Sequence, residues 1–227
     1  MLTNIKGNNT TRETTKSIKR ISDDLAEAGR RLHRQGLVIG NSGNISARIP
    51  GTNTLLIKPS RVSLESLKPE ELLVIDLQGK KVKGESAVSR ETPIHTAIYR
   101  TREDAQAIFH THPPTATAFG IAKIEILPLQ IEIFNQLPNG VPIIPFEAPG
   151  SKALAEKIQK KIANYDALIL ENHGIVTIGS TIEAACNLNL MVEEAAKIQF
   201  LVMSLEGKTE MNLAPLKKKF KKQNLLE

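Results

Sequence analysis

Two histidines stand one residue apart at the end of an apolar run, in the stretch AIFHTHPP at residues 107–114. Side chains two positions apart on a β-strand point to the same face, so a strand here projects His110 and His112 together. Neutral imidazoles are common metal ligands, and catalytic zinc sites usually combine three protein ligands with one open position. The spacing therefore predicts two ligands of a metal site that needs a third.

The third candidate ligand is His173. It follows a second apolar run, DALILEN, and precedes Gly174, which allows the backbone to turn closely. The other two histidines, His33 and His95, lie on predicted helices. Each of the three candidates could instead be an ordinary hydrogen-bonded core or turn histidine. The two strand ends and the His-x-His spacing together favour a metal site, which requires the three rings to meet in space.

Helices and strands alternate along the chain without a repeat or a Pro/Ser-rich linker, which indicates one α/β domain. The predicted helices span Thr14 to Gln35, begin at Thr92, span residues 151–163 with Ser151 as N-cap, and run from a capping box at Ser180 and Glu183 to about residue 205. The predicted strands lie in LVIGNSGNISARI, NTLLIKPS, the hairpin LLVIDLQGKKVKG, AQAIFH, GVPIIPF and the pair ALILENHGIVTIG.

Charge and composition exclude several classes of partner. The formal net charge is +6, but much of the excess lies in the tail LKKKFKKQNLLE, and no nucleic-acid-binding motif is present, so we expect no nucleic-acid partner. No apolar stretch approaches the roughly 20 residues that cross a bilayer, and the first residues lack a secretory signal's apolar centre. We therefore expect a cytoplasmic protein without a membrane partner, in which the single cysteine, Cys186, is buried and has no catalytic role.

Four segments of the chain carry recognisable motifs: GNSGNISAR, LLIKPSRVSLESLKPEELLVIDLQGK, SRETPIHTAIYRTREDAQAIFHTHPPTATAFG and LENHGIVTIGSTIEAA. In their order and spacing they resemble the class II aldolase/adducin family, and within it most closely the L-fuculose-1-phosphate aldolases. The resemblance implies a three-layer α/β/α fold with a largely antiparallel central β-sheet, assembled as a homotetramer with active sites near subunit interfaces. It also implies zinc held by His110, His112 and His173, with the two prolines merely redirecting the chain.

The resemblance covers roughly residues 15–205. We therefore divide the chain into a flexible N-terminus at 1–13, a catalytic domain at 14–206 and a basic C-terminal tail at 207–227.

Glu91, in SRET just before the second predicted helix, matches the carboxylate that the resembling aldolases use as acid and base beside the zinc. Without the resemblance it could equally be a glutamate favoured by the helix dipole. A carboxylate there could move a proton to and from the carbon next to a ketone once a metal polarises the ketone oxygen. Related ribulose-phosphate epimerases have aspartate at the matching position, so glutamate favours an aldolase.

Three loops match the family's phosphate-binding loops, through Asn44, Ser60, Arg61, Ser89 and Arg90. Small polar side chains and backbone N–H groups can converge on a dianion, although serine and asparagine are also ordinary turn residues. Many relatives have glycine where Arg61 stands and serine where Arg90 stands. Either arginine could strengthen anion binding or reshape the pocket for another substrate.

This chain departs from the family at the group that exchanges a proton with the aldehyde oxygen. Fuculose-phosphate aldolases use tyrosines for it, whereas this chain has only Tyr99 and Tyr165. The segment where one family tyrosine would fall reads LQIEIF, so Glu132 or a metal-bound water is the suggested substitute. His95, one helical turn after Glu91, is expected to support the site or the core and not to bind the metal.

The predicted function is a zinc-dependent aldolase, a carbon–carbon lyase that cleaves a ketose 1-phosphate to dihydroxyacetone phosphate and a small aldehyde. The alternatives are a methylthioribulose-1-phosphate dehydratase of the same fold, or an adducin-like interaction domain without catalysis. Retention of the three histidines together with Glu91 argues against the last. The identity of the sugar phosphate, the metal used in the cell and the role of the lysine-rich tail do not follow from the sequence.

Overall fold

The centre of the fold is one β-sheet. The computed structural model of the protein describes residues 6–206 and residue 218, and its eight strands are β1 (Asn44–Arg48), β2 (Thr54–Ile57), β3 (Leu73–Asp76), β4 (Lys81–Lys83), β5 (Ala107–Thr111), β6 (Ile143–Ile144), β7 (Ala167–Leu170) and β8 (Gly174–Gly179). They follow the order β4-β3-β2-β1-β5-β8-β7-β6 across the sheet. Every neighbouring pair of these strands is antiparallel except β6 and β7. The expected largely antiparallel sheet is confirmed.

Helices cover both faces of this sheet. The described α-helices are α1 (Lys6–Arg34), α2 (Thr92–Thr101), α3 (Pro114–Ala122), α4 (Ile131–Gln136), α5 (Lys152–Ile162) and α6 (Ile182–Glu206). Phe109 of β5 packs with α1 and α6 on one face, whereas its neighbour Ile108 packs with α2 and α5 on the other. This alternation confirms the three-layer α/β/α arrangement. No helix within the described residues combines the length and the apolarity needed to span a membrane.

Helix α1 begins earlier than the sequence predicted. It starts at Lys6, whereas we expected a flexible segment over residues 1–13 and a helix from Thr14. No proline interrupts residues 6–14, so helical hydrogen bonding can continue through them. Residues 1–5 of the expected N-terminus, and residues 207–217 and 219–227 of the expected tail, lie outside the described residues. The division of the chain into three parts stays a prediction.

The helix caps agree with the sequence in one case and differ by one residue in the other. The Ser151 hydroxyl accepts a hydrogen bond from the N–H of Leu154 at 3.1 Å, as predicted for the start of α5. At the start of α6 the cap is Thr181 and not Ser180, since the Thr181 hydroxyl accepts from the N–H of Ala184 at 3.0 Å. Both residues carry a hydroxyl, so the sequence pattern did not distinguish them.

Two helices and one loop were missed. Pro113 and Pro114, expected only to redirect the chain, begin helix α3, because a proline at the first helical position has the required φ and lacks an N–H that would be unpaired anyway. Helix α4 was not predicted at all. In the segment LVIGNSGNISARI only the second half pairs as β1, and the residues before it form a loop that turns at Gly40 and Gly43, whose φ angles are 57° and 70°.

Candidate active site

The three candidate metal ligands meet at one end of neighbouring strands. His110 lies on β5 and His112 just after it, while His173 lies in the turn between β7 and β8, the strand that pairs with β5. The ring centroids are 4.7 to 5.3 Å apart, and one nitrogen from each ring lies within 4.8 Å of the other two. Residues far apart in sequence therefore form one imidazole cluster.

The nitrogens of this cluster suit a divalent cation. Nδ1 of His110 donates to the carbonyl of Ile175 at 2.8 Å, so Nε2 is the ring nitrogen that faces the cluster, 3.1 Å from Nε2 of His112. Zinc–nitrogen bonds of about 2.0–2.1 Å in a tetrahedron separate two ligand atoms by about 3.4 Å, close to this distance. Nδ1 of His173 is buried and has no hydrogen-bond partner among the described residues. These donors fit a zinc ion.

Close backbone packing fixes the position of His173. A Cβ atom on Gly174 would collide with the backbone carbonyl of Thr111 and with the ring of His112. A side chain at residue 174 would therefore push the β7–β8 turn away from β5 and carry His173 away from the other two rings. The glycine is present because the two segments approach so closely.

The carboxylate of Glu91 lies between two of the histidines. Its Oε2 is 3.0 Å from Nε2 of His110, and its Oε1 is 3.1 Å from Nε2 of His173. Glu91 occupies the N-cap position of α2, and Nδ2 of Asn44 donates to its Oε2 at 2.6 Å. Burial raises the pKa of Glu91, but His110 and His173 outweigh burial and hold this pKa well below its usual range. Glu91 is therefore ionised at neutral pH and able to accept a proton.

The same surroundings give the histidines different pKa values. Burial lowers the pKa of His110, but the charge and hydrogen bond of Glu91 overcome this effect and raise it. Burial and the neighbouring His110 and His173 lower the pKa of His112 to about 3. His112 is thus neutral at physiological pH, which is the form that binds a metal.

A cleft of about 410 Å³ opens beside the cluster. The residues lining it include all five predicted phosphate contacts, the carboxylate and two of the histidines: Asn44, Ser60, Arg61, Ser89, Arg90, Glu91, His112 and His173. Its volume is in the range of pockets that bind small molecules. Glu91 is the single acidic side chain among the described lining residues, so cationic and neutral polar groups surround it.

Lys58 is a lining residue that the sequence analysis missed. It follows β2 directly, is only 2% exposed, and its Nζ donates to the carbonyls of Asn41 at 3.2 Å and Val62 at 2.5 Å. Burial lowers the pKa of Lys58 to about 8, with the charge of Glu91 acting in the opposite direction. A lysine that continues the apolar run TLLI was the available signal, because a buried lysine is rare without a specific partner or function.

Arg61 adopts a backbone conformation that favours glycine. Its φ angle is 62°, in the left-handed region that costs an ordinary residue roughly 1–2 kcal/mol. The side chain is exposed, lines the cleft and has no hydrogen-bond or ion-pair partner among the described residues. The same description holds for the side chain of Arg90. Two unpaired guanidinium groups therefore border the cleft.

The suggested proton donors lie elsewhere. Tyr99 is buried beneath the site, Tyr165 lies just before β7, and Glu132 lies on α4; none is among the described residues that line the cleft. The suggestion that Glu132 handles the aldehyde oxygen therefore has no support from the cleft of a single subunit. His95 lies outside the imidazole cluster and contacts Asn44, in keeping with a supporting role.

Comparison with known proteins gives a consistent result. Residues 23–200 match the family described as Class II Aldolase and Adducin N-terminal domain. An L-fuculose phosphate aldolase of Methanococcus vannielii is 35% identical over 77% of this chain and 93% of its own length. A 3-oxo-tetronate 4-phosphate decarboxylase of Haemophilus influenzae is 31% identical over 78% of this chain and 85% of its own length.

A solved structure agrees with the sequence relatives. The L-fuculose-1-phosphate aldolase of Thermus thermophilus superimposes with a TM-score of 0.75 at 27% identity, covering 85% of this chain and 99% of that one. Aldolases and decarboxylases both break carbon–carbon bonds. The expected class of carbon–carbon lyase is therefore confirmed by the relatives.

Proposed function

Since this chain belongs to the class II aldolase and adducin family, we propose that it is a zinc-dependent aldolase. Its reaction is the reversible cleavage of a ketose 1-phosphate, similar to L-fuculose 1-phosphate, into dihydroxyacetone phosphate and a small aldehyde. The observation that carries the proposal is the position of the Glu91 carboxylate, 3.0 and 3.1 Å from the Nε2 atoms of His110 and His173, beside a cleft bordered by cations. This arrangement supports the proposal of a metal site, a base and an anion pocket.

His110, His112 and His173 are the proposed holders of the zinc ion. When bound, a divalent cation supplies Lewis-acid polarisation of the substrate's ketone oxygen. Histidine binds a metal ion in its neutral form, so the three imidazoles would leave the positive charge of the ion uncompensated for the substrate. Three protein ligands are typical of catalytic zinc sites, so these histidines would suffice to hold the ion.

Glu91 is the proposed acid and base. In the condensation direction its carboxylate removes a proton from the hydroxylated carbon next to the ketone of dihydroxyacetone phosphate. In the cleavage direction the ionised carboxylate takes up the proton that the hydroxyl group on the aldehyde-forming carbon loses as the carbon–carbon bond breaks, and then gives a proton to the same carbon of dihydroxyacetone phosphate. Nδ2 of Asn44 donates to Oε2 of Glu91 at 2.6 Å, and this hydrogen bond favours the ionised carboxylate before the reaction.

The phosphate group is the proposed ligand of the cationic part of the cleft. Ser60 and Ser89 offer hydroxyl donors, and Arg61 and Arg90 offer guanidinium groups without other partners among the described residues. Lys58 adds a buried positive charge at pH values below about 8. A charge-assisted hydrogen bond to a phosphate is stronger than a neutral one, so these groups would fix the substrate by its phosphate end.

The test is release of dihydroxyacetone phosphate by the purified, zinc-loaded protein. L-Fuculose 1-phosphate and a panel of related ketose 1-phosphates would be supplied one at a time, with Glu91→Gln as the inactive control. Mass spectrometry of the products separates cleavage from dehydration, because a dehydratase such as the methylthioribulose-1-phosphate enzyme keeps all the carbons in one molecule. No cleavage of any ketose phosphate in the panel would overturn the proposal.

A second candidate function is decarboxylation of a phosphorylated keto acid. The two unpaired arginines at the cleft favour a substrate with an additional carboxylate, and one relative is a 3-oxo-tetronate 4-phosphate decarboxylase. Decarboxylation of a 3-oxo acid also develops negative charge next to a ketone, which a bound metal can stabilise, so the same histidines would serve it. Release of carbon dioxide from a 3-oxo acid phosphate, measured beside the aldolase panel, separates the two candidates.

The assembly is proposed to be a homotetramer in the cytoplasm. Ile39 and Phe146 are 80% and 54% exposed, and each lies within three residues of a cleft-lining residue, so a neighbouring subunit could cover them. Phosphorylated sugars are charged and do not cross a bilayer unaided, which suits a cytoplasmic enzyme. Native mass spectrometry tests the assembly, and a monomer at micromolar concentration would contradict it.

A further inference from the structure

A chain of hydrogen bonds runs from the core of the protein to the carboxylate of Glu91. The hydroxyl groups of Tyr99 and Ser46 are 2.9 Å apart, and Ser46 Oγ is 2.7 Å from Nδ1 of His95. Nε2 of His95 contacts Oδ1 of Asn44, and Nδ2 of Asn44 donates to Oε2 of Glu91 at 2.6 Å. The five residues link two secondary-structure elements in one continuous path.

The spacing of residues along helix α2 and strand β1 explains how the five side chains come into line. Glu91, His95 and Tyr99 are spaced by four residues and lie on one face of α2 and its N-cap position. Asn44 and Ser46 are spaced by two residues on β1 and therefore share one face of the sheet. His95 touches both strand residues, one with each ring nitrogen. The strand and the helix thus contribute alternate members of the path.

The carboxylate of Glu91, at the end of the path, determines which atom donates in each hydrogen bond. An ionised Glu91 can only accept, so Asn44 must present its Nδ2 to Glu91 and its Oδ1 to His95. His95 must then carry its proton on Nε2, which leaves Nδ1 as an acceptor for the Ser46 hydroxyl. Because the single hydroxyl hydrogen of Ser46 is donated to His95, Ser46 accepts from Tyr99. All four donors point towards Glu91.

Water cannot replace these partners. His95 and Ser46 are fully buried, and Tyr99 is 1% exposed. Burial lowers the pKa of His95 to about 3, so the ring stays neutral and keeps one donor and one acceptor nitrogen. A buried polar group that loses its partner costs about 1–3 kcal/mol, which holds each member in its present orientation.

We propose that His95 is a positioning residue: by donating from Nε2 to Oδ1 of Asn44, it fixes the orientation of that amide and thereby the carboxylate of Glu91. The importance of Glu91 rests on the proposed function, whereas the orientation of Asn44 does not. Without the imidazole the amide could rotate and bring Oδ1 against Oε2 of Glu91, two acceptors that repel each other. Glu91 would then lose a donor and move relative to the cluster.

Asn44 also links the base to the anion pocket. Its Nδ2 carries two hydrogens, of which one is donated to Glu91, and the residue lines the cleft. The second hydrogen is therefore available to a substrate phosphate. His95 would keep both hydrogens directed to these two acceptors at once.

Two substitutions of His95 of similar size separate positioning from folding. The amide nitrogen of His95→Gln can take the place of Nε2 and still donate to Asn44, whereas the shorter side chain of His95→Asn reaches only the place of Nδ1. We expect kcat for cleavage to stay within about threefold in His95→Gln and to fall about 10- to 100-fold in His95→Asn, with KM changed less than kcat. A His95→Asn enzyme with full kcat, or equal losses in both variants, would overturn the proposal.

Coupling to Asn44 provides a second measure of the same effect. If His95 acts through Asn44, the kcat of Asn44→Ala combined with His95→Asn equals that of Asn44→Ala alone. Multiplicative losses in the double variant would show that His95 acts by another route.

A spectroscopic measurement does not depend on any substrate. Nitrogen-15 NMR of histidine-labelled, zinc-loaded protein should show His95 as the Nε2–H tautomer throughout pH 6–9. A tautomer with the proton on Nδ1, or a protonated ring, would overturn the positioning role even if no aldolase substrate were found. Conversely, an inactive protein with the expected tautomer would count against the proposed function and leave the role of His95 intact.

Discussion

Asn44 and His110 are direct partners in the antiparallel pairing of β1 with β5. The first residue of one strand therefore lies beside a candidate metal ligand near the end of the other. This register places the amide of Asn44 within 2.6 Å of the carboxylate that also contacts His110. Strand pairing therefore sets the distance between Asn44 and the candidate metal ligand His110, so this part of the site depends on the sheet.

Removal of the proposed base should abolish turnover and leave the metal in place. Glu91→Gln preserves the size of the side chain and loses its ability to take a proton, so kcat should fall by roughly 10²- to 10⁴-fold. Steady-state kinetics on the best ketose phosphate measures this loss. The zinc content of the variant, determined by elemental analysis, should match that of the original protein. A kcat within tenfold of the original would assign the base elsewhere.

Zinc should stabilise the protein through the three histidines. Binding to the folded state at 100 times the dissociation constant adds about 2.7 kcal/mol to the free energy of unfolding, which denaturant titration with and without chelator can detect. His173→Asn should lose most of this increment. The matched control is His33→Asn, because His33 lies outside the cluster. Its ion-pair contact is with the exposed Glu65 at 3.7 Å. Equal zinc stabilisation in both variants would contradict the assigned ligand set.

Lys58 should make anion binding weaker in alkaline solution. Its pKa of about 8 means that the positive charge is lost above that pH, so affinity for inorganic phosphate should fall by up to about tenfold per pH unit between pH 8 and 9.5. Calorimetric titration measures the affinity. Lys58→Met should bind phosphate more weakly at pH 7.5 and show no such decline, and an equal decline in that variant would point to another group.

Lys58 should make the free energy of unfolding rise with pH, although it makes phosphate affinity fall. Between pH 8 and the usual lysine pKa near 10.5, the unfolded chain binds more protons at Lys58 than the folded protein. The contribution of Lys58 to the free energy of unfolding should therefore rise with pH in this window. Urea titrations at pH 8 and 9.5 test this sign when the difference for the original protein is compared with that for Lys58→Met. A contribution that falls with pH would show that the folded-state pKa is not lowered.

Arg61→Gly should separate stability from binding. Glycine adopts the φ angle of 62° without the steric cost, so the free energy of unfolding should rise by roughly 1 kcal/mol. Loss of the guanidinium should weaken phosphate binding by about 3- to 10-fold. Arg61→Lys is the control, because it keeps both the charge and the unfavourable backbone. A glycine variant that binds phosphate as well as the original protein would show that Arg61 is not a phosphate contact.

The parts of the fold with a local signal were predictable. The hairpin of β3 and β4, the Ser151 cap and the His-x-His strand end depend on residues close in sequence, and the structure contains all three. Helices α3 and α4 were missed because they are short and flanked by prolines, which are as common in loops as at helix starts.

The parts of the site that depend on tertiary contacts were not predictable. Burial of Lys58 results from the loop that brings Asn41 and Val62 over its amine. The role of His95 depends on Asn44, which is 51 residues away in sequence. The strain at Arg61 is a property of the folded backbone and has no counterpart in residue type. For Glu91 and the proposed phosphate loops, the prediction came from the family resemblance, because periodicity carries no signal for them.

Arg90 and Glu91 are consecutive, whereas Arg61 follows a different strand, β2. A change that reshapes the backbone at residue 90 is transmitted through one peptide unit to Glu91, the proposed acid and base. A change at residue 61 has no such direct covalent route. New substrate preferences are therefore expected to evolve more readily through substitutions at residue 61, because these can change the cleft without moving Glu91.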